Sequence, residues 1–228
     1  NYNLASRSRV TISGLTGSMT SDSASLPVSS TSGSLGTTGT WTKGSGQLVL
    51  LAASGGMAAG TACEVTMALN NPSTPQPSAS VTVAAVIEDG SNNTVGAIAE
   101  SAMTKPGSAL YGITNGADPL YIEVPRFSTL FIDQRTPASN ADNTVTVTLA
   151  VNYHLASGST LTISGLTGSQ TASTASLGIT STSHILGTTG SWTQNLGQLI
   201  LSSHAGGLAA GWSCTVTFTV KNAGSAQL

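Results

Sequence analysis

The octapeptide TISGLTGS occupies Thr11–Ser18 and recurs at Thr162–Ser169. The match extends well beyond it. Written one above the other, NYNLASRSRVTISGLTGS and NYHLASGSTLTISGLTGS begin two copies that stay in register without a gap, from Asn1 over Asn152 to Pro77 over Leu228, with more than half the positions identical. The offset of about 151 residues exceeds the roughly 20 to 50 residues of solenoid repeats and matches a whole domain with its connection. Each copy must therefore be able to fold in the same way, and each is expected to be a folding unit.

The pattern within a copy is that of strands. Alternating runs such as CEVTMAL, CTVTFTV and NTVTVTLAV put Val, Leu, Met or Phe on one face and Thr on the other, the period of a half-buried β-strand. No apolar run has a helical period long enough to compete. Strands are expected at Val10–Ser13, Ser25–Ser29, Gly39–Thr42, Gln47–Ala52 and Cys63–Asn70, with counterparts at Leu161–Ser164, Ser176–Thr180, Gly190–Thr193, Gln198–Ser203 and Cys214–Asn222. Between them lie GLTGS, GTTG, SGG or AGG, and AAG, where glycine permits tight turns. Adding Thr144–Val151 in front and Val81–Ile87 behind gives about seven short strands per module, the pattern of an all-β, antiparallel, immunoglobulin-like β-sandwich in tandem.

Three segments follow. Residues 1–87 read as one β-sandwich module, 126–228 as a second that opens on RFSTLFIDQ (Arg126–Gln134), and 88–125 as a turn-rich connecting segment with short strands of its own. The strand NTVTVTLAV that leads into the second copy has no counterpart before Asn1, and SASVTVAAVI, which follows the first copy, has none after Leu228. The first module is thus expected to lack its initial strands and the second its last strand, unless neighbours supply them.

Composition narrows the function. Charged residues make up 7%, against about a quarter in ordinary soluble domains, with a net charge of −2 and a mean hydropathy of +0.17. A surface of hydroxyls and glycines with so little charge favours association. Seven basic residues cannot form the footprint that phosphate binding needs, so nucleic acid is not an expected partner. No apolar run reaches the roughly 20 residues of a membrane-spanning helix, and an apolar content of 39% argues against disorder.

Chemistry-bearing patterns are sparse. The sequence contains no HExxH, GxSxG, phosphate-binding loop or EF-hand pattern, and the expectation is a protein without catalytic residues, cofactor or metal. Three histidines, His154, His184 and His204, face Asn3, Gly33 and Ala53 of the other copy. Cys63 and Cys214 occupy equivalent positions; each reads as a small buried hydrophobe or, in an oxidising compartment, as half of a bridge between repeats or chains. Trp41 and Trp192 recur in GTTGxWT, as core anchors or, if exposed, as platforms for stacking on carbohydrate. Asn92-Asn93-Thr94 is a sequon that marks Asn92 for N-glycosylation in a secreted chain, and the hydroxyl-rich NNPSTPQP (Asn70–Pro77) could carry O-linked sugars.

Three stretches, LASGSTLTISGLTGSQTASTASL, GTTGSWTQNLGQLIL and GGLAAGWSCTVTFTVKN, together resemble the tandem repeats of giant extracellular structural proteins of algae and other protists, the mastigoneme-type fibre proteins. The resemblance covers both matched copies and less of 88–125. It implies immunoglobulin-like sandwiches strung along a fibre, outside the cell or on its surface, with copies of the same chain as partners; covalent glycans, expected from the sequon and the hydroxyl-rich turns, would add hydration that charge does not. The expected function is self-assembly into a filament or tubule through strand edges; the alternative is a stalk or adhesin repeat that binds carbohydrate or another cell.

Overall fold

The computed structural model describes residues 2–91 and 93–226. It is all-β, with every strand pair antiparallel, and it divides into two compact units. The first comprises the chain up to Leu110 together with Thr114–Val124, and the second takes in Tyr111–Ile113 and the chain from Pro125 onward.

In the first unit β1 (Arg9–Ser13), β2 (Ser23–Ser30), β3 (Thr38–Thr42), β4 (Gln47–Leu51), β5 (Val65–Met67), β6 (Thr82–Glu88) and β7 (Thr94–Ala102) lie in the order β5-β2-β3-β4-β1-β6-β7. The second contains β8 (Phe127–Gln134), β9 (Asp142–Val151), β10 (Thr160–Ile163), β11 (Thr174–Ser181), β12 (Thr189–Thr193), β13 (Gln198–Ser202) and β14 (Ser213–Lys221), in the order β10-β13-β12-β11-β14-β9-β8. The five strands shared by the two copies pair identically: β1 to β5 match β10 to β14, one for one.

Each sheet curls over at a single strand. β2 pairs with β3 from Ser23 to Pro27 and with β5 from Val28 to Ser30. β11 does the same, pairing with β12 up to Gly178 and with β14 from Ile179 to Ser181. One strand thereby belongs to two half-sheets, and the apolar faces of both halves close on one core, which is a sandwich-like arrangement. Just beyond the switch a serine fixes the corner. Ser30 Oγ donates to Gly36 O at 3.1 Å and accepts from the Leu35 N–H at 3.1 Å; Ser181 repeats this with Gly187 O at 3.1 Å and Leu186 N at 3.2 Å.

The repeated octapeptide has a physical role. Its Leu15 N–H donates to Gly46 O at 2.9 Å, and Leu166 N–H to Gly197 O at 3.0 Å, tying the turn after β1 or β10 to the turn before β4 or β13. Gly46 and Gly197 have φ of +60° and +56°, and a Cβ there would lie 2.4 and 2.3 Å from the carbonyl carbons of Leu15 and Leu166. Neither the backbone angle nor the space admits a side chain. In the core, Gly39 lies opposite Leu50, and a Cβ there would meet methyls of Leu48 and Leu50 at 2.6 and 2.8 Å; at Gly190 a Cβ would meet methyls of Leu201 and Leu199 at the same 2.6 and 2.8 Å.

Two expectations need correction. The segment 88–125 is not a connector: β7 lies within it and pairs along β6, Gln76 bridges to Ile122, and the Ala79 N–H reaches Pro119 O. Apart from Tyr111–Ile113 and Pro125 it belongs to the first unit. Its alternation is weak because β7 is a sheet edge, exposed at every residue but Gly96, so neither face imposes a strict pattern. The strand expected over Cys63–Asn70 shrinks to Val65–Met67, whereas its counterpart β14 runs for 9 residues.

Replacing Gly46 or Gly197 by Ala is expected to destabilise its unit by more than about 1 kcal/mol, read as a shift in the urea midpoint. Gly44→Ala, at a position with open space and no positive φ, should leave the midpoint unchanged.

Candidate functional site

The unequal lengths of β5 and β14 locate the site. CEVTMAL and CTVTFTV have the same alternation, and both bind the switch strand in the same way: Val28 faces Met67 as Ile179 faces Phe218. Even the side-chain bond beside them repeats, with the Glu64 N–H donating to Thr31 Oγ1 at 3.0 Å and the Thr215 N–H to Thr182 Oγ1 at 3.0 Å. The difference lies on the other flank. β14 pairs with β9 along its whole length, from Ser213 opposite Ala150 to Lys221 opposite Asp142. Among the described residues no strand pairs with the corresponding flank of β5.

Burial follows the pairing. Cys214, Val216, Phe218 and Val220 are 0, 0, 3 and 6% exposed; Cys63, Val65, Met67 and Leu69 at the matching positions are only half-buried. Beside β5 the core of the first unit opens into an apolar groove of about 390 Å³, lined by Val10, Ile12, Cys63, Val65, Met67 and Val83 among others.

The second unit is open on the opposite flank. In the first unit β6 pairs with β1 over five positions, from Arg9 opposite Val86 to Ser13 opposite Thr82, and Ser8, buried beneath it, accepts the Glu88 N–H at 3.1 Å. Among the described residues β10, the counterpart of β1, has only β13. A groove of about 360 Å³ lies there, between β10 and the inner face of β8 and β9, with Leu130, Ile132, Val147, Leu149, Leu161 and Ile163 in its walls. β8 forms the far edge of this sheet and is exposed at all eight residues, with Leu130 at 67%, Phe131 at 60% and Ile132 at 52%.

The residues singled out from sequence fall mostly elsewhere. Trp41 and Trp192 are each 1% exposed, with their indole N–H groups donating to Thr20 O at 3.1 Å and Thr171 O at 2.9 Å. A ring enclosed on both faces cannot stack on a sugar, so the carbohydrate-platform reading of this pair is corrected: both are core anchors. Trp212, without a counterpart, is the exposed indole at 65%. Cys63 and Cys214 are free thiols. Burial pushes the Cys214 thiol above its ordinary pKa, opposed by its bonds to Thr182, and its full enclosure under β9 removes it from reach of a second chain. Cys63, at the groove, remains accessible.

Asn92 lies outside the described residues. Asp89 uses both carboxylate oxygens, accepting from the Ser91 and Asn93 N–H groups at 2.7 and 3.2 Å and from Asn93 Nδ2 at 2.8 Å; these bonds hold its pKa below the usual carboxylate value. The carboxylate therefore closes its own loop. Glu88 is 5% exposed and pairs with Arg9 at 3.1 Å, a link between β6 and β1. Among the described residues no three His, Cys, Asp or Glu side chains cluster as a metal site would.

What sequence reasoning missed is β8 as an exposed apolar edge and the two grooves. The available signal was the phase of the repeat, with NTVTVTLAV leading into the second copy and SASVTVAAVI following the first.

No family model and no curated protein matches the sequence.

Trp41→Ala should cost about 3–5 kcal/mol of stability, measured by thermal unfolding, whereas loss of a surface sugar platform would leave stability unchanged. A second expectation concerns pH. The Cys214 proton is held more tightly in the fold than in the unfolded chain, so its contribution is complete below the unfolded thiol pKa of about 8.5 and declines as pH rises beyond it. Urea midpoints at pH 7 and pH 10 should differ more for the native chain than for Cys214→Ala.

Proposed function

We propose that this chain is an extracellular structural repeat that self-assembles into a filament or tubule through its sheet edges, with immunoglobulin-like modules as its building blocks. The observation that carries the reading is β8: an eight-residue edge strand, exposed throughout, carrying Phe127, Leu130, Phe131 and Ile132. Proteins that stay apart blunt such edges with lysine, proline, bulges or a covering loop. FSTLFIDQ contains one charge, Asp133, and no proline, and its register irregularity against β9 is confined to Phe127–Thr129, ahead of the apolar Leu130–Ile132.

Three further features support it. The repeat rebuilds the same five-strand framework in each copy, and a repeated module is how a polymer reaches length. The surface has too little charge to resist approach. The resemblance to fibre proteins of algae and protists rests on the strand and turn segments that build these modules, and it favours a cell-surface or extracellular setting in which glycans could supply hydration. The adhesin reading is weaker, because the matched tryptophans that would have served it are buried.

The test is assembly itself. The chain should form filaments or regular edge-to-edge oligomers in negative-stain electron microscopy, and the double change Leu130→Lys, Ile132→Lys should raise the concentration needed by at least about tenfold, one tenfold step being about 1.4 kcal/mol. Both side chains are more than half exposed, so thermal unfolding should hardly move. A native chain that stays monomeric at every concentration would refute the reading.

A further inference from the structure

Of the three tryptophans only Trp212 is exposed, at 65%, and the fold does not require it. Its turn is built the same way in the first unit: the Trp212 N–H donates to Ala209 O at 3.1 Å and the Thr61 N–H to Ala58 O at 3.2 Å, with Gly211 and Gly60 both at φ +76°. Threonine completes that turn as well as tryptophan does. Thr61 is exposed too, with residues 78–110 of its own unit in place, so this position faces solvent in both units. An indole there adds little to a core, and its large apolar face is left to a ligand.

Two tyrosines extend the surface. Tyr111 and Tyr153 stack with ring centroids 5.4 Å apart and planes at 23°, and Tyr111 is 54% exposed. Backbone contacts join this pair to the Trp212 turn. The His154 N–H donates to Tyr111 O at 3.0 Å, and the Gly211 N–H to Val151 O at 2.7 Å. Gly112 lies so close to Ala210 that a Cβ on it would be 2.6 Å from the alanine methyl. Segments 110–113, 151–155 and 209–213 therefore adjoin, and none of them contains Asp, Glu, Lys or Arg. We propose that this surface of the second unit is a carbohydrate-binding platform, and that its ligand is a chain of β-linked pyranoses with equatorial substituents, of the glucan or chitin kind. The inference goes beyond the assembly reading and does not depend on it.

Chemistry selects the ligand. In a pyranose with equatorial substituents the axial C–H bonds gather on the two faces of the ring, and their partial positive charge is drawn to the negative face of an indole or phenol. The sugar hydroxyls project from the rim, where the phenol groups of Tyr111 and Tyr153 can donate and accept. β-Linkage keeps successive sugars in a flat ribbon, which lets one chain cover more than one aromatic ring; an α-linked glucan winds away. The absence of charge disfavours other ligands. Phosphate, sulfate and carboxylate groups call for Lys or Arg. Rigidity helps as well, since the turn is fixed by the bonds to Ala209 and Val151 and the stacked tyrosines hold each other, so little freedom is lost on binding.

The test is tryptophan fluorescence of the 228-residue chain with acrylamide as quencher. Trp41 and Trp192 are each 1% exposed, so the quenchable emission belongs to Trp212. Cellotetraose or chitotetraose should lower the quenching constant at least about threefold, with half the effect below about 1 mM, and maltotetraose, the α-linked isomer of the first, should leave it unchanged. Trp212→Thr installs the residue of the first unit; it should keep the native thermal unfolding and abolish the heat of binding in titration calorimetry. Lack of protection by both β-linked sugars at about 10 mM, or equal protection by maltotetraose, would overturn the proposal. So would an indole that becomes shielded as protein concentration rises with no sugar present, since that result assigns the surface to a second copy of the chain.

Discussion

A strand in a sheet has backbone donors and acceptors on both flanks, and the structure turns on whether the second flank is filled. CEVTMAL and CTVTFTV share their alternation, their position in the repeat and their partner on one side. One becomes a three-residue strand over an open groove, and the other a nine-residue strand over a closed core. Sequence does not separate these outcomes, because intrinsic strand preference is weak beside cross-strand packing. What separates them is β9. Its Val and Leu side chains complete the core of the second unit and its threonines meet those of β14. Cys214 is enclosed for the same reason that Cys63 is not.

The internal parts of each module were legible in the sequence because both copies state them. GTTG followed by a tryptophan specifies an alternating strand whose glycine admits two leucines. GLTGS specifies a turn tied to a glycine that no other residue can replace, whereas the serine that satisfies two backbone groups at each corner, Ser30 or Ser181, emerged only from the structure. In the legible cases local chemistry and tertiary contact agree, which is the condition under which pattern reading succeeds. The edges were less legible. β7 lies in a stretch rich in turn residues, and the pairing of Gln76 with Ile122 joins positions 46 residues apart that carry no shared motif. The burial of the paired tryptophans, by contrast, followed from their recurrence, since a ring that anchors a small core must recur wherever that core is rebuilt.

The low charge has a structural counterpart. Hydroxyls and amides do much of the work that ion pairs do elsewhere. Asn143 is buried and donates to both Gln134 and Asn222 at 2.8 and 2.9 Å, joining three segments of the second unit at the end of β9. Thr20 and Thr171 accept from the backbone of Asn70 and Lys221 at 2.8 and 2.7 Å, so the same threonine holds the equivalent position in both copies. Neutral hydrogen bonds are little affected by salt, whereas exposed ion pairs are screened by it. Arg9 with Glu88 is an ion pair of a different kind, with the carboxylate enclosed and the guanidinium half-exposed.

The switch strands β2 and β11 carry a mechanical consequence. In a sandwich made of two separate sheets, the layers are held by side-chain packing and by the loops that cross between them, and a load can slide one layer over the other. Here a single run of backbone is hydrogen-bonded into both halves, from Ser23 to Ser30 in one unit and from Thr174 to Ser181 in the other. The halves cannot part until that strand is stripped from one of them. Each unit should therefore yield to tension in one all-or-none event, as a link in a load-bearing chain must if it is to hold its length until it gives way.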